Sequence, residues 1–116
     1  MAQEINVTVN SNITLAGQTA SGSTNFRLDL TNDFLGEEQT IPITATALDF
    51  GDMTAMKTLY IRNMDTANAV TIDAVTAMTA FPQVIPPGCA ILLLPSTATI
   101  YAKAQTAPVK VWLVAG

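Results

Sequence analysis

Few side chains in this chain are able to do chemistry. Histidine is absent, and Cys89 is the single cysteine among 116 residues. Without histidine, Ser-His-Asp and Cys-His arrangements cannot be built, and neither can histidine-ligated metal sites. Cys89 follows Pro86-Pro87-Gly88 and precedes an aliphatic run. That setting suits a small buried hydrophobe better than a nucleophile. Carboxylates gather in two places. Asp29, Asp33, Glu37 and Glu38 surround one predicted loop, and Asp49 and Asp52 flank Phe50-Gly51 in another. Loop carboxylates supply oxygens of the kind Ca²⁺ takes, but neither stretch has the alternating spacing of an EF-hand loop. Solvated acidic loops are expected instead. Glycoside hydrolysis would need two carboxyls facing each other across a groove, which loop neighbours do not provide. The phosphate-cradling patterns GxGxxG and GxxxxGK[ST] are missing. The expectation is a protein without catalytic residues, metal or cofactor.

What remains is contact chemistry. Tyr101 and Lys103 share one strand face, and Lys110 and Trp112 share another placed opposite it in a predicted hairpin. An exposed Tyr–Trp pair with basic neighbours suits a sugar ring or a protein partner. The competing reading puts Trp112 in the core. Ile5, Val7 and Val9 alternate with Asn6 and Thr8, marking a second candidate contact element. Asn6-Val7-Thr8 and Asn12-Ile13-Thr14 match the glycosylation triplet, a coincidence in a chain where roughly one residue in seven is threonine.

Composition narrows the class. Apolar residues make up 49% and charged residues 12%, with a net charge of −4. The charged share is about half that of an ordinary soluble domain. Such a surface must be covered by Thr, Ser, Asn and Gln, or buried against other subunits. Arg27, Lys57, Arg62, Lys103 and Lys110 are scattered, so neutralisation of nucleic-acid phosphates is not expected. No apolar run approaches the roughly 18 residues of a membrane helix. The start, MAQEINVTV, lacks the basic and apolar regions of a signal peptide, so synthesis in a reducing cytoplasm is expected.

The elements that would position these groups read as strands. Threonine, valine and isoleucine favour a pleated, half-buried surface. Ile5–Val9 is a predicted strand, with Ile13–Leu15 continuing it after a break at Asn10-Ser11-Asn12. Gly17–Thr24 reads as a polar loop, Phe26–Leu30 as a strand, Asn32–Gln39 as a loop, and Ile41–Leu48 as a strand. A short helix over Phe50–Met56 is the best helical candidate. Leu59–Met64 and Ala69–Val75 form a predicted hairpin, with Leu59, Ile61, Val70, Ile72 and Ala74 inward and Arg62 paired with Asp73. Pro86-Pro87-Gly88 forces a turn. It launches Ala90–Leu94, which lacks alternation as a strand covered on both faces does. Ile100–Ala104 and Val109–Val114 make the final predicted hairpin. The sum is a single all-β domain over 1–116: an antiparallel, jelly-roll-like sandwich of about eight or nine short strands. Residues 1–15 are a candidate partner-contacting arm.

The stretch LYIRN at Leu59–Asn63, the turn at Asp65 and Asn68, the Pro87-Gly88 before a strand, and the closing YAKA and TAPVKVWLV follow one another in a fixed order. Together they resemble small β-sandwich virion proteins of tailed bacteriophages. The resemblance covers Leu59 to Val114, and the polar, threonine-rich start agrees with it in style. It implies a non-enzymatic, multi-copy structural protein of the virion, made in the host cytoplasm. The first expectation is a head decoration or cement protein. It would bind the major capsid protein and self-associate, with a trimer favoured. A neck, tail or fibre component is the nearest alternative, and a carbohydrate-binding module using Tyr101 and Trp112 stands outside that class. The resemblance brings no catalytic residues with it.

Overall fold

A computed structural model of the chain describes residues 4–29, 34–51, 53, 56–95 and 99–116, and for Asp29 the backbone alone. These residues form ten strands and no helix. Phe50–Met56, the best helical candidate but too short to matter, holds no helix among its described residues. The chain divides into two compact units, Met1–Thr31 and Asn32–Gly116.

The first unit is a β-hairpin of β1 (Glu4–Leu15) and β2 (Gln18–Asp29), paired antiparallel from Glu4↔Asp29 to Leu15↔Gln18. The predicted break at Asn10-Ser11-Asn12 is continuous strand, and the predicted loop at Gly17–Thr24 is mostly β2. The only turn is Ala16-Gly17, with φ of 53° and 80°. Positive φ at both positions is the type I′ geometry, whose twist matches the flanking strands. Asn, Ser and Gly in the hairpin looked like loop residues, but cross-strand pairing satisfies the backbone wherever the register is continuous.

The second unit holds β3 (Leu35–Ile41), β4 (Thr46–Ala47), β5 (Leu59–Asn63), β6 (Val70–Asp73), β7 (Gln83–Ile85), β8 (Ala90–Leu93), β9 (Tyr101–Ala104) and β10 (Val109–Ala115). One sheet runs β3-β10-β5-β8 and the other β4-β9-β6-β7, with every pairing antiparallel. Counted within this unit, the sheets hold strands one-eight-three-six and two-seven-four-five. That is the strand order of a jelly roll, two Greek keys folded over each other.

This order corrects both predicted hairpins. β5 pairs with β10 and β8, while β6 pairs with β9 and β7. β9 and β10 likewise lie in different sheets. Of the consecutive strands in this unit, only β6 and β7 pair. The face assignment survives the correction for four of five residues: Leu59, Ile61, Val70 and Ile72 are buried, while Ala74 is exposed. Alternation identifies a strand's buried face, yet two strands of a hairpin and two strands stacked across a core bury the same residues.

The core joins both sheets. Val109, Val111, Leu113 and Ala115 of β10 alternate inward, with Lys110, Trp112 and Val114 outward. They share one apolar cluster with Leu59 and Ile61 opposite Val70, Ile72 and Ile85. Burial of each large aliphatic side chain contributes about 1.5–3 kcal/mol. Three further expectations change. Residues 35–39 of the predicted acidic loop belong to β3. Ile41–Leu48 bends at residues 43 and 44, leaving the two-residue β4. Ala90–Leu94 is not covered on both faces: β8 is an edge strand with Ala90 exposed and Ile91–Leu93 half-buried.

Candidate functional site

The groups singled out as chemical have structural duties in the fold. Asn63, buried at the end of β5, donates its amide to the carbonyls of Asn68 (2.9 Å) and Ile85 (3.0 Å). Its Oδ1 accepts the N–H of Asp65 at 2.9 Å. Asp65 Oδ1 in turn accepts the N–H groups of Ala67 (2.7 Å) and Asn68 (3.0 Å), an Asx turn. These bonds hold the Asp65 carboxyl below its ordinary value. The main chain of Asn63 also meets the Pro-Gly turn: its N–H donates to the Cys89 carbonyl, and its carbonyl accepts from Gly88. The turn itself closes from Cys89 N–H to the Pro86 carbonyl at 3.1 Å, with Gly88 at φ 74°. Pro at the second position and Gly at positive φ in the third make it type II. The LYIRN…D…N…PG pattern is therefore one hydrogen-bonded corner between the sheets.

Cys89 is exposed on that turn, not buried as expected. The turn sets its direction, so the aliphatic strand behind it does not draw it inward. Asp73 does not pair with Arg62. It is buried, and its two oxygens accept the N–H groups of Ala74 (2.6 Å), Phe81 and Ala80 (both 3.0 Å). Burial alone would raise its pKa. The backbone donors from Phe81, Ala74 and Ala80 outweigh that and hold it below its ordinary value. Asp73 thus fastens the link from β6 to β7.

Of the remaining carboxylates, Asp33, Asp52 and the Asp29 side chain lie outside the described residues. Glu37 and Glu38 sit on β3, and Glu37 accepts a bond from Gln39 at 2.9 Å. The Asp49 N–H donates to Gln39, and the Asp49 carboxylate accepts from Gly51. Among the described residues, no group of three or more metal-ligating side chains converges. No described helix is long and apolar enough to cross a membrane.

The predicted Tyr–Trp face is split. Tyr101 and Lys103 point outward from the second sheet, and Lys110 and Trp112 point outward from the first. The pair was drawn together by a hairpin that does not form. Trp112 is not core either, being 39% exposed. Its register neighbours are Glu38 on β3 and Arg62 on β5. Val114 is level with Gly36 and Tyr60, and Tyr60 with Leu92. A Cβ on Gly36 would stand 3.8 Å from Trp112 Cζ2, so the indole lies beside that glycine. The outer face of the first sheet therefore presents Trp112, Tyr60, Val114 and Leu92, bordered by Arg62, Lys110 and Glu38. Sequence reasoning missed Tyr60 and Arg62 as companions of Trp112, because only the β10–β5 pairing places them there. On the second sheet's outer face a shallow hollow lies between Thr71, Val84 and Lys103, and its lining holds no aromatic side chain among the described residues.

Ile5 and Val7 are half-buried beside Leu28 and Phe26, while Val9 is exposed. The three occupy one face of the hairpin, as the alternation predicts. No family model, curated protein or solved structure matches this chain.

Proposed function

We propose that this chain is a structural protein of a bacteriophage virion, and that it decorates or cements the assembled head. The observation that carries the reading is the jelly-roll strand order, an architecture used by viral capsid domains. It is joined by the resemblance of Leu59–Val114 to small phage virion proteins. Fold alone does not assign function, so the reading is tied to a surface. The outer face of the first sheet, with Trp112, Tyr60 and Arg62, has the residue types that dominate protein interfaces. It is the face we assign to the major capsid protein. Binding only the assembled lattice stabilises that lattice by mass action.

The test is a cryo-EM map of the native particle. Density for this chain covering the shell supports decoration. Density confined to one vertex moves it to the neck or tail, and absence from the particle overturns the reading. Trp112→Ala is expected to lower shell occupancy at least tenfold while leaving the domain folded. The same exposed tryptophan suits a carbohydrate-binding module, and loss of glycan-array signal in Trp112→Ala with unchanged particle occupancy would favour that reading.

A further inference from the structure

The hairpin of β1 and β2 is amphipathic. In the antiparallel register, Ile5/Leu28, Val7/Phe26, Val9/Thr24, Ser11/Gly22, Ile13/Ala20 and Leu15/Gln18 fall on one face, which is apolar apart from Thr24, Ser11, Gly22 and Gln18. Asn6/Arg27, Thr8/Asn25, Asn10/Ser23 and Asn12/Ser21 fall on the other. The outer half of the apolar face is open: Val9, Ile13 and Leu15 are 44%, 64% and 77% exposed. The two strands make a sheet of their own, so among the described residues no further strand pairs with either twelve-residue edge. A lone two-stranded hairpin is marginally stable in water.

Two observations identify what covers it. From Ile5 to Phe26, 22 residues carry no charge, although the chain as a whole has 14 charged side chains, from five basic and nine acidic residues. Around a shared axis, inward-facing residues of neighbouring copies approach their own equivalents, which penalises like charges and tolerates their absence. An uncharged strip has nothing with which to select a charged partner of another kind. The second observation is the edges. Charges, prolines and short length are the usual guards against edge pairing. Neither β1 nor β2 contains a proline, and their charged residues, Glu4, Arg27 and Asp29, all sit at the open end.

The geometry points to a second copy of this chain as the occupant. We propose that neighbouring copies join through β1–β2, edge strand to edge strand, with their apolar faces turned to a shared interior. One face measures roughly 40 by 10 Å. That falls short of the about 800 Å² per partner of a standard interface, so edge pairing must add to face contact. Head-to-tail pairing of β1 with the next copy's β2 removes every edge when the rotation between copies closes a ring. The inference rests on the proposed function only for its homo-oligomeric state. Its test needs no particle, so either reading can fail alone.

The test is sedimentation velocity of the full chain over a concentration series. The expected species has a multiple of the 12.2 kDa chain mass. Ile13→Asp with Leu15→Asp puts charge on the apolar face and is expected to give the monomer. Asn12→Asp puts one on the polar face and is expected to leave the oligomer intact. Near-ultraviolet circular dichroism checks that the sandwich remains folded in each. A wild-type monomer at the solubility limit overturns the proposal. So does an oligomer that survives the Ile13/Leu15 change, or one that Asn12→Asp dissolves equally.

Discussion

The two units use the same alternating strands and treat their edges in opposite ways. In the sandwich every edge is guarded. β3 carries Glu37 and Glu38 and ends before Pro42, β4 has two residues, β7 lies between Pro82 and Pro86, and β8 stops two residues before Pro95. In the hairpin the edges are three to six times longer than β4, β7 or β8 and almost unguarded. Faces differ in the same sense. The sandwich's inner faces cover each other, whereas the outer half of the hairpin's apolar face meets solvent. Unguarded strand edge is an aggregation hazard unless it has a partner. The contrast sets a sandwich with guarded edges against a hairpin whose open edges motivate the proposed pairing between copies.

The largest test of that contrast is in the core. Leu113→Ala is expected to destabilise the sandwich by about 2–5 kcal/mol in urea denaturation. Ile13→Ser is expected to change the sandwich's midpoint by less than about 0.5 kcal/mol, because Ile13 lies outside the sandwich core. Equal losses would erase the distinction between the units. Next comes the corner at Asn63. Asn63→Ala removes three hydrogen bonds, among them the buried one to the Ile85 carbonyl, an expected loss of about 1–3 kcal/mol.

Asp73 sharpens the comparison through pH. Its carboxyl is held below the ordinary value of 3.8. Its contribution is therefore complete above that pH and is lost as the pH falls below it, through the depressed value. Asp73→Asn should lower stability near neutrality and flatten the acid limb below pH 3.8 in circular-dichroism titration; an unchanged acid limb would remove Asp73 as the fastener of the β6–β7 link. The smallest effect is expected at the hairpin tip. Ala16 is a non-glycine residue at φ 53°, where asparagine is better tolerated. Ala16→Asn should strengthen the hairpin by under about 1 kcal/mol, seen as slower amide exchange in β1 and β2.

Much of the fold was legible in residue types. Val109–Val114 reads as a strand, Leu59, Ile61, Val70 and Ile72 mark the buried faces of β5 and β6, and Pro86-Pro87-Gly88 predicts the turn before β8. The two sheets' membership was not legible. Leu59–Asn63 and Val70–Asp73 look like hairpin partners because a short polar link joins them, and the same link also turns a corner between layers. β7 escaped notice because three residues flanked by prolines give no periodicity. For the interaction face, Trp112 was legible as a candidate. Its separation from Tyr101 was not, since that depends on which sheet each strand joins.

By itself, the sequence determined the β class, the buried side of β5 and β6, the absence of histidine chemistry and the uncharged stretch from Ile5 to Phe26. These follow from local composition and the two-residue period of a strand. Only the tertiary structure decided which strands pair and that Asn63 and Asp73 tie corners. It also decided that Trp112 stands with Tyr60 and Arg62, and that Cys89 faces solvent. Those outcomes depend on contacts between residues far apart in the chain, where a strand's alternation fixes its faces but not its neighbours.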